Sequence, residues 1–170
     1  MQVEALTIHS QTFIQILYRL VLTPEYLEPL RQEIEAVVAE EGWTKAGMDK
    51  LHKLDSFVRE TQRIDTPNLC SSASIYCFSV TDTVRQVILA RVAIRPFTFS
   101  NGVTIPTGTI VAAPSSAIHV DEEIHSDPEI FDGFRFCELH DNGGNVAKKK
   151  SSAVSTSPNH LAFGLGRHAW

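Results

Sequence analysis

The sequence is poor in cysteine and has no surplus of basic residues, and both shortages exclude classes of protein. Its three cysteines, Cys70, Cys77 and Cys137, are odd in number and form no Cys-x-x-Cys pair. That argues against a disulfide framework and against a structural zinc site. The formal net charge of the 170 residues is −5, so electrostatic capture of a polyanion is not expected. We therefore predict no nucleic-acid partner and no metal ligand set.

The sequence also lacks a long apolar run. Residues 13–22, FIQILYRLVL, are interrupted by Arg19, whereas a membrane-spanning helix needs about 20 apolar residues. The first residues, MQVEALTIHSQ, have no basic segment and carry Glu4, unlike a secretory signal peptide. The sequence predicts neither a transmembrane segment nor a signal segment in this chain.

Apolar residues recur at helical spacing through the first third of the chain. This pattern predicts one helix over residues 3–22, a second that ends at Glu41 before Gly42, and a third over about residues 48–64. Pro29 lies inside the second pattern, which predicts either a kink or a late start of that helix.

The pattern then changes to alternation of apolar and polar residues. FTFSNGVTI predicts a hairpin around Asn101 and Gly102, and TGTIVAAPSSAIHV predicts a strand that leads into a turn or short helix at residues 120–124. Residues 127–136 are aromatic and irregular, and residues 141–158 have the composition of a mobile loop. The predicted fold class is mainly α with a small β region.

Two acidic and basic pairs have the spacing that places side chains on one helical face. Glu60 and Arg63 lie three residues apart, but so do Glu28 and Arg31, and an exposed pair contributes only ~0–1 kcal/mol. Arg135 is flanked by two phenylalanines, which favours burial, and a buried cation needs an anionic partner. We predict that Glu60 is this partner, in an architectural cluster with Arg63 and Arg135.

Residues 164–169, GLGRHA, formally match the G-x-G-x-x-A dinucleotide fingerprint. That fingerprint requires a strand before it, a helix after it and an acidic residue about 20 positions on. STSPNH precedes the glycines instead, and the printed sequence reaches only Trp170. A glycine-rich turn is the other interpretation that the residues alone allow.

Taken together and in order, the Glu-x-x-Arg helix, FDGFRF and FGLGRHA resemble the C-terminal part of cytochrome P-450 heme-thiolate monooxygenases, especially the fungal microsomal type. The resemblance covers nearly the whole chain. It implies a partial cytochrome P-450 fold: the end of the central helix, two following helices, a β hairpin region, the meander and the start of the heme loop. The resemblance also implies that the cluster of Glu60, Arg63 and Arg135 stabilises the core around the heme.

The resemblance divides residues 1–170, one partial domain, into five segments. These are a helical part (1–64), an atypical insertion (65–90), the β region with the aromatic-arginine element (91–136), a loop (137–159) and a truncated heme-binding loop (160–170). Arg63 and Arg91 lie 28 positions apart, farther than in the family. Residues 69–86 are either a retained intron translated in frame or a genuine insertion, and the end at Trp170 fits the first cause.

The resemblance also implies residues that bind the heme cofactor. Phe163 matches the residue that packs against the proximal face, Gly166 the residue that permits the tight turn, and His168 a donor to a heme propionate. Arg91 matches a second propionate partner. The iron-binding cysteine of the family corresponds to Trp170, and an indole has no lone pair for iron, so no metal ligand is assigned.

His9 and Ser10 match the acid–threonine pair that delivers protons to bound oxygen in the family. The alternative is that they are polar residues on a partly wet helix. The parent enzyme would insert one oxygen atom of O2 into a small apolar substrate, with electrons from an NADPH-dependent reductase at the endoplasmic reticulum membrane, in fungal secondary metabolism. The chain itself is expected to be inactive, and the alternative function is a non-enzymatic helical and β interaction module.

Overall fold

A computed structural model describes residues 2–65, 87–137 and 152–166 of the chain, and only the backbone of residues 2–9 and 87–90. The helices are α1 (Gln2–Leu22), α2 (Leu27–Glu41), α3 (Lys45–Met48), α4 (His52–Ile64) and α5 (Ser115–His119). The strands are β1 (Val87–Val92), β2 (Phe97–Thr98), β3 (Thr104–Ile105) and β4 (Ile110–Pro114). The predicted class, mainly α with a small β region, is confirmed.

The first two helices follow the sequence pattern closely. A 3-10 turn, Pro24–Tyr26, separates α1 from α2, so Pro29 lies in the first turn of α2, where a backbone N–H has no partner to lose. The alternative of a late helix start is therefore the one observed. Gly42 ends α2 with a positive φ of 66°, a conformation that glycine adopts at little cost.

The predicted third helix is wrong at its start, because two helices occupy its range. Thr44 caps α3 by accepting a hydrogen bond from the backbone N–H of Gly47 (3.1 Å). The N-terminus of α4 is capped from α2 instead: the Glu33 carboxylate accepts from the backbone N–H groups of Lys53 (2.8 Å) and Leu54 (3.0 Å). A carboxylate there also interacts favourably with the helix dipole.

The β region contains two small antiparallel sheets, β1 with β4 and β2 with β3. The predicted hairpin around Asn101 and Gly102 is confirmed. Phe99 donates to the Val103 carbonyl (2.9 Å), and Gly102 donates to the Phe99 carbonyl (2.9 Å) with a φ of 86°. Residues 120–124 form the predicted turn, whereas the short helix α5 precedes it directly after β4.

An aromatic cluster packs the turns after α5 against α4 and against the 3-10 turn that precedes α2. Its rings belong to Tyr26, Phe57, Phe131 and Phe134, with centroids 4.9–5.8 Å apart. Gly133 lies against these rings so closely that a Cβ atom would come within 2.7 Å of Phe57. The predicted irregular segment 127–136 is thus a set of ordered turns over α4.

Most of the predicted loop 141–158 lies outside the described residues, which resume at residue 152 with a turn and a single bridge between Ser157 and His160. The predicted insertion over residues 65–90 is also largely outside them. Among the helices in the described ranges, none combines the length and the apolar character that crossing a bilayer requires.

Candidate functional site

Helix α4 is buried mainly through polar side chains. Seven of its 13 residues are buried, and Phe57 is the only apolar one among the seven. Burial of a polar or charged group is unfavourable unless hydrogen bonds replace those made with water. The contacts of α4 therefore define the candidate site.

The Glu60 cluster, which we define as Glu60, Arg63 and Arg135, is the centre of this site. The Glu60 carboxylate accepts from Arg63 Nε (2.7 Å) and Nη2 (2.8 Å) and from Arg135 Nε (3.0 Å). The backbone N–H of Asp132 donates to the same carboxylate (3.2 Å). The side chains of Glu60 and Arg63 are 0% exposed, and that of Arg135 is 12% exposed. The three residues that the sequence grouped are thus brought together.

Burial distinguishes this pair from the other pair with the same spacing. Glu28 lies on the exposed surface of α2, where it accepts a hydrogen bond from Gln32 (3.0 Å). Exposed contacts of that kind contribute little to stability, whereas Glu60 accepts four hydrogen bonds out of contact with water. The burial of the Glu60–Arg63 pair, and not its three-residue spacing, therefore identifies the site.

Arg135 connects the cluster to the irregular segment before it. Its Nη2 donates to the carbonyls of Ile130 (2.9 Å) and Asp127 (3.2 Å), and its Nη1 donates to the carbonyl of Ser126. Asp127 has a φ of 46°, which is uncommon for a residue other than glycine. A guanidinium with several donors in a fixed plane can hold these carbonyls and Glu60 simultaneously.

The N-terminal half of α4 binds two further segments. The Ser56 hydroxyl accepts from the backbone N–H of Phe136 (3.0 Å). The Asp55 carboxylate accepts from the Ser152 hydroxyl (3.0 Å) and from the backbone N–H of Ala153 (3.1 Å). Neither residue was predicted from the sequence, because the local pattern of an amphipathic helix places its polar residues in solvent.

His119 was also missed, although it contacts the cluster directly. Arg63 Nη1 donates to the backbone carbonyl of His119, and the His119 side chain bonds in return to the Arg63 carbonyl (3.1 Å) and to the backbone N–H of Leu161 (2.9 Å). Burial lowers the pKa of His119 to about 4, and the charge of Arg63 also lowers it, whereas the bond to the Arg63 carbonyl opposes the shift. The imidazole is therefore neutral at neutral pH.

A second histidine covers the ring of His119. The His160 ring stacks on it with a centroid separation of 5.5 Å and an interplanar angle of 24°. His160 is 1% exposed, and within the described ranges its ring nitrogens have no hydrogen-bond partner. Burial, followed by the charge of Arg59, lowers the pKa of His160 well below the ordinary value.

The loop that follows His160 begins buried and becomes exposed. Leu161 and Ala162 are buried, Phe163 is half-buried, and Leu165 and Gly166 are exposed. Gly166 has a φ of 85°, and a Cβ atom there would meet nothing within 4 Å. The glycine is therefore required by the backbone angle and not by lack of space.

The other predicted site residues lie apart from the buried cluster or outside the description. Ser10 lies on α1 and Arg91 in β1, opposite Val111, and both are exposed. His9 belongs to α1, but its side chain lies outside the described residues, as do His168 and Trp170 entirely.

Comparison with known proteins shows which family model and which relatives this chain matches. A family model described as Cytochrome P450 matches residues 82–169, just over half of the chain. The chain is 38% identical to cytochrome P450 monooxygenase 151 of Postia placenta, over 94% of this chain and 28% of that protein. It is 39% identical to cytochrome P450 monooxygenase janQ of Penicillium janthinellum, again over 94% of this chain and 28% of that protein.

The fold has a counterpart among solved structures. A zebrafish cytochrome P450 superposes with a TM-score of 0.63 over 95% of this chain and 31% of that chain. At 21% identity this likeness concerns the fold alone. The chain spans a little over a quarter of the length of the curated relatives it matches.

Proposed function

Because this chain belongs to the cytochrome P450 family, we propose that it is the part of a heme-dependent monooxygenase that supports and approaches the heme. Its curated relatives carry the name monooxygenase. The whole enzyme would use heme to insert one oxygen atom of O2 into a small apolar substrate. Its electrons would come from an NADPH-dependent reductase at the endoplasmic reticulum membrane, within fungal secondary metabolism.

The buried Glu60 cluster is the observation that carries this proposal. The cluster connects helix α4 to a segment 75 positions away in the sequence. The loop at residues 160–166 is bonded to the same end of α4 through His119. A loop that must present a cofactor-binding surface needs such rigid support. In this supported loop Phe163 is half-buried and Gly166 is exposed.

We propose a role within such an enzyme for each of the five segments predicted from the sequence. Residues 1–64 would carry the central helix with His9 and Ser10, which would deliver protons to bound oxygen. Residues 91–136 would form the support of the heme, and residues 137–159 the loop before residues 160–170. Residues 65–90 would be the insertion.

The residues present fit a heme only in part. A propionate needs hydrogen-bond donors, which Arg91, exposed in β1, and His168 would supply. The heme face needs an apolar neighbour, which Phe163 would supply. The iron needs a ligand with a lone pair, and Trp170 has none. Among the described residues Cys137 is the only cysteine, and its Sγ lies 3.9 Å from the His52 carbonyl.

His52 and Arg63 mark opposite ends of α4, about 17 Å apart at 1.5 Å per residue. The loop at residues 160–166 is tied to the Arg63 end, so Cys137 is remote from it. We therefore assign no iron ligand among the residues that the structure describes. The expected result is that the isolated chain neither forms a thiolate-ligated heme complex nor turns over.

Hemin titration of the full chain tests this proposal. The wild type should give no thiolate-type spectrum after reduction and addition of CO, whereas Trp170→Cys should give one. Trp170→Ala is the matched control and should behave as the wild type does. A thiolate spectrum from the wild type would overturn the inactivity. A folded Trp170→Cys chain without saturable heme binding would overturn the heme-binding role and favour the interaction module.

A further inference from the structure

His119 links two parts of the chain that are distant in sequence. Its Nδ1 lies 3.1 Å from the Arg63 carbonyl oxygen, 56 positions away, and its Nε2 lies 2.9 Å from the backbone nitrogen of Leu161, 42 positions away. Its own carbonyl accepts a hydrogen bond from Arg63 Nη1. The residue thus contacts both the C-terminal end of α4 and the start of the loop at residues 160–166.

These contacts determine the tautomer of the ring. The backbone N–H of Leu161 can only donate, so Nε2 must carry the lone pair. The Arg63 carbonyl can only accept, so Nδ1 must carry the proton. One neutral imidazole therefore acts as donor to the helix and as acceptor from the loop at once. An imidazolium would lose the bond to Leu161, because both of its nitrogens are donors.

The surroundings hold the ring in this state. His119 is 0% exposed, His160 stacks on one face, and the Arg63 guanidinium bonds to the His119 backbone. A second positive charge at this position would be buried beside a first, which is strongly unfavourable. The neutral ring can therefore serve as a permanent link.

We propose that His119 is a positioning residue, which holds the loop at residues 160–166 against the Glu60 cluster and so determines where Phe163 and Gly166 stand. The consequence for a bound cofactor rests on the proposed function, but the link itself does not. It is a property of the chain without cofactor and can be measured there.

Two substitutions separate the two hydrogen bonds of the ring. In His119→Asn the amide occupies the position of Nδ1, so it can donate to the Arg63 carbonyl but cannot reach Leu161. In His119→Gln the amide oxygen occupies the position of Nε2, so it can accept from the Leu161 N–H. The two variants are matched in polarity and charge, and each retains one bond.

Amide hydrogen exchange of the full chain gives the readout. The Leu161 amide should exchange roughly 10-fold faster in His119→Asn than in the wild type, because its hydrogen bond is lost, and within about 3-fold of the wild type in His119→Gln. The Asp65 amide donates to the Thr61 carbonyl at the end of α4 (2.7 Å). Its exchange rate, corrected for any change in global stability, should be the same in both variants as in the wild type. Equal effects of the two variants on Leu161 would overturn the proposal.

A measurement on the wild type protects the test against variants that fail to fold. Nitrogen-15 spectroscopy of the histidine side chains at neutral pH should show His119 with a protonated Nδ1 and an unprotonated Nε2. The opposite tautomer, or a charged ring, would overturn the proposal. Failure of hemin binding in Trp170→Cys would leave both readouts unaffected, so the two proposals fail separately.

Discussion

Replacement of the Glu60 carboxylate by an amide tests the central feature of the structure. Glu60→Gln preserves the shape of the side chain but removes the carboxylate that bonds to both Arg63 and Arg135. The new NH2 group also points a donor at guanidinium donors. Two cations would then remain in a site where Arg63 is 0% exposed.

The expected cost follows from this geometry. Removal of one partner from a buried ion pair typically destabilises a protein by about 3–5 kcal/mol, because the remaining charge stays buried without compensation. Single domains have a total stability of about 5–15 kcal/mol. For a urea m value of about 2 kcal/mol per molar, a loss of about 4 kcal/mol lowers the midpoint of unfolding by about 2 M.

Urea unfolding followed by circular dichroism measures this change, and Glu28→Gln is the internal control. Glu28 belongs to the second Glu-x-x-Arg sequence but is exposed, so its substitution should change the free energy of unfolding by less than about 1 kcal/mol. Arg135→Lys provides a milder test, at about 1–3 kcal/mol, because lysine lacks the planar set of donors. If Glu60→Gln and Glu28→Gln had equal effects, the burial of the cluster would be refuted.

Two further predictions concern pH and packing. His119 is protonated near pH 6.5 in an unfolded chain but only near about pH 4 in the folded one, so the unfolded state takes up the proton first. The contribution of His119 to the free energy of unfolding should therefore fall by up to roughly 3 kcal/mol as the pH drops from 6.5 to 4. Chemical denaturation across that range measures this contribution as the difference between the wild type and His119→Gln, which should show a shallower fall. Gly133→Ala should cost about 1–3 kcal/mol, because its Cβ would meet Phe57 and Tyr26 at 2.7 and 2.9 Å. In thermal unfolding, a Phe57→Leu background should reduce that cost, and full additivity would contradict the proposed clash.

The sequence predicted those helix ends that depend on local chemistry. Gly42 ended α2 as expected, and Pro29 lay where a first turn tolerates it. The start of α4 was not predictable in this way, because its cap is the Glu33 carboxylate of another helix. A window of neighbouring residues contains no information about a partner 20 positions away.

The sequence likewise predicted only a part of the candidate site. The aromatic neighbours of Arg135 indicated burial, burial implied an anionic partner, and Glu60 was predicted to be that partner. Nothing in the sequence around His119 indicated its contacts, since a lone histidine in an apolar run is also compatible with simple packing. Its ring nitrogens bond to backbone atoms of Arg63 and Leu161, and the identity of a residue does not indicate what its backbone atoms bind.

The polar core of α4 has a common physical cause. The segments packed on it are irregular turns or, at His119, the C-terminal end of the short helix α5, so their backbone N–H and carbonyl groups lack the partners that a longer helix or a sheet would supply. Side chains of α4 supply them: Asp55 for Ala153, Ser56 for Phe136, Glu60 for Asp132, and Arg63 for His119.

Because of its bonds to the backbone, the Glu60 cluster differs from buried ion pairs that apolar side chains can replace at little cost in stability. Such replacements are tolerated when the two charges satisfy only each other. Here Glu60 and Arg63 also satisfy backbone groups of two other segments. An apolar pair would leave those groups buried without partners, at about 1–3 kcal/mol each. The ordering of the turns at residues 126–136, and of the loop tied to His119, therefore depends on the charges themselves.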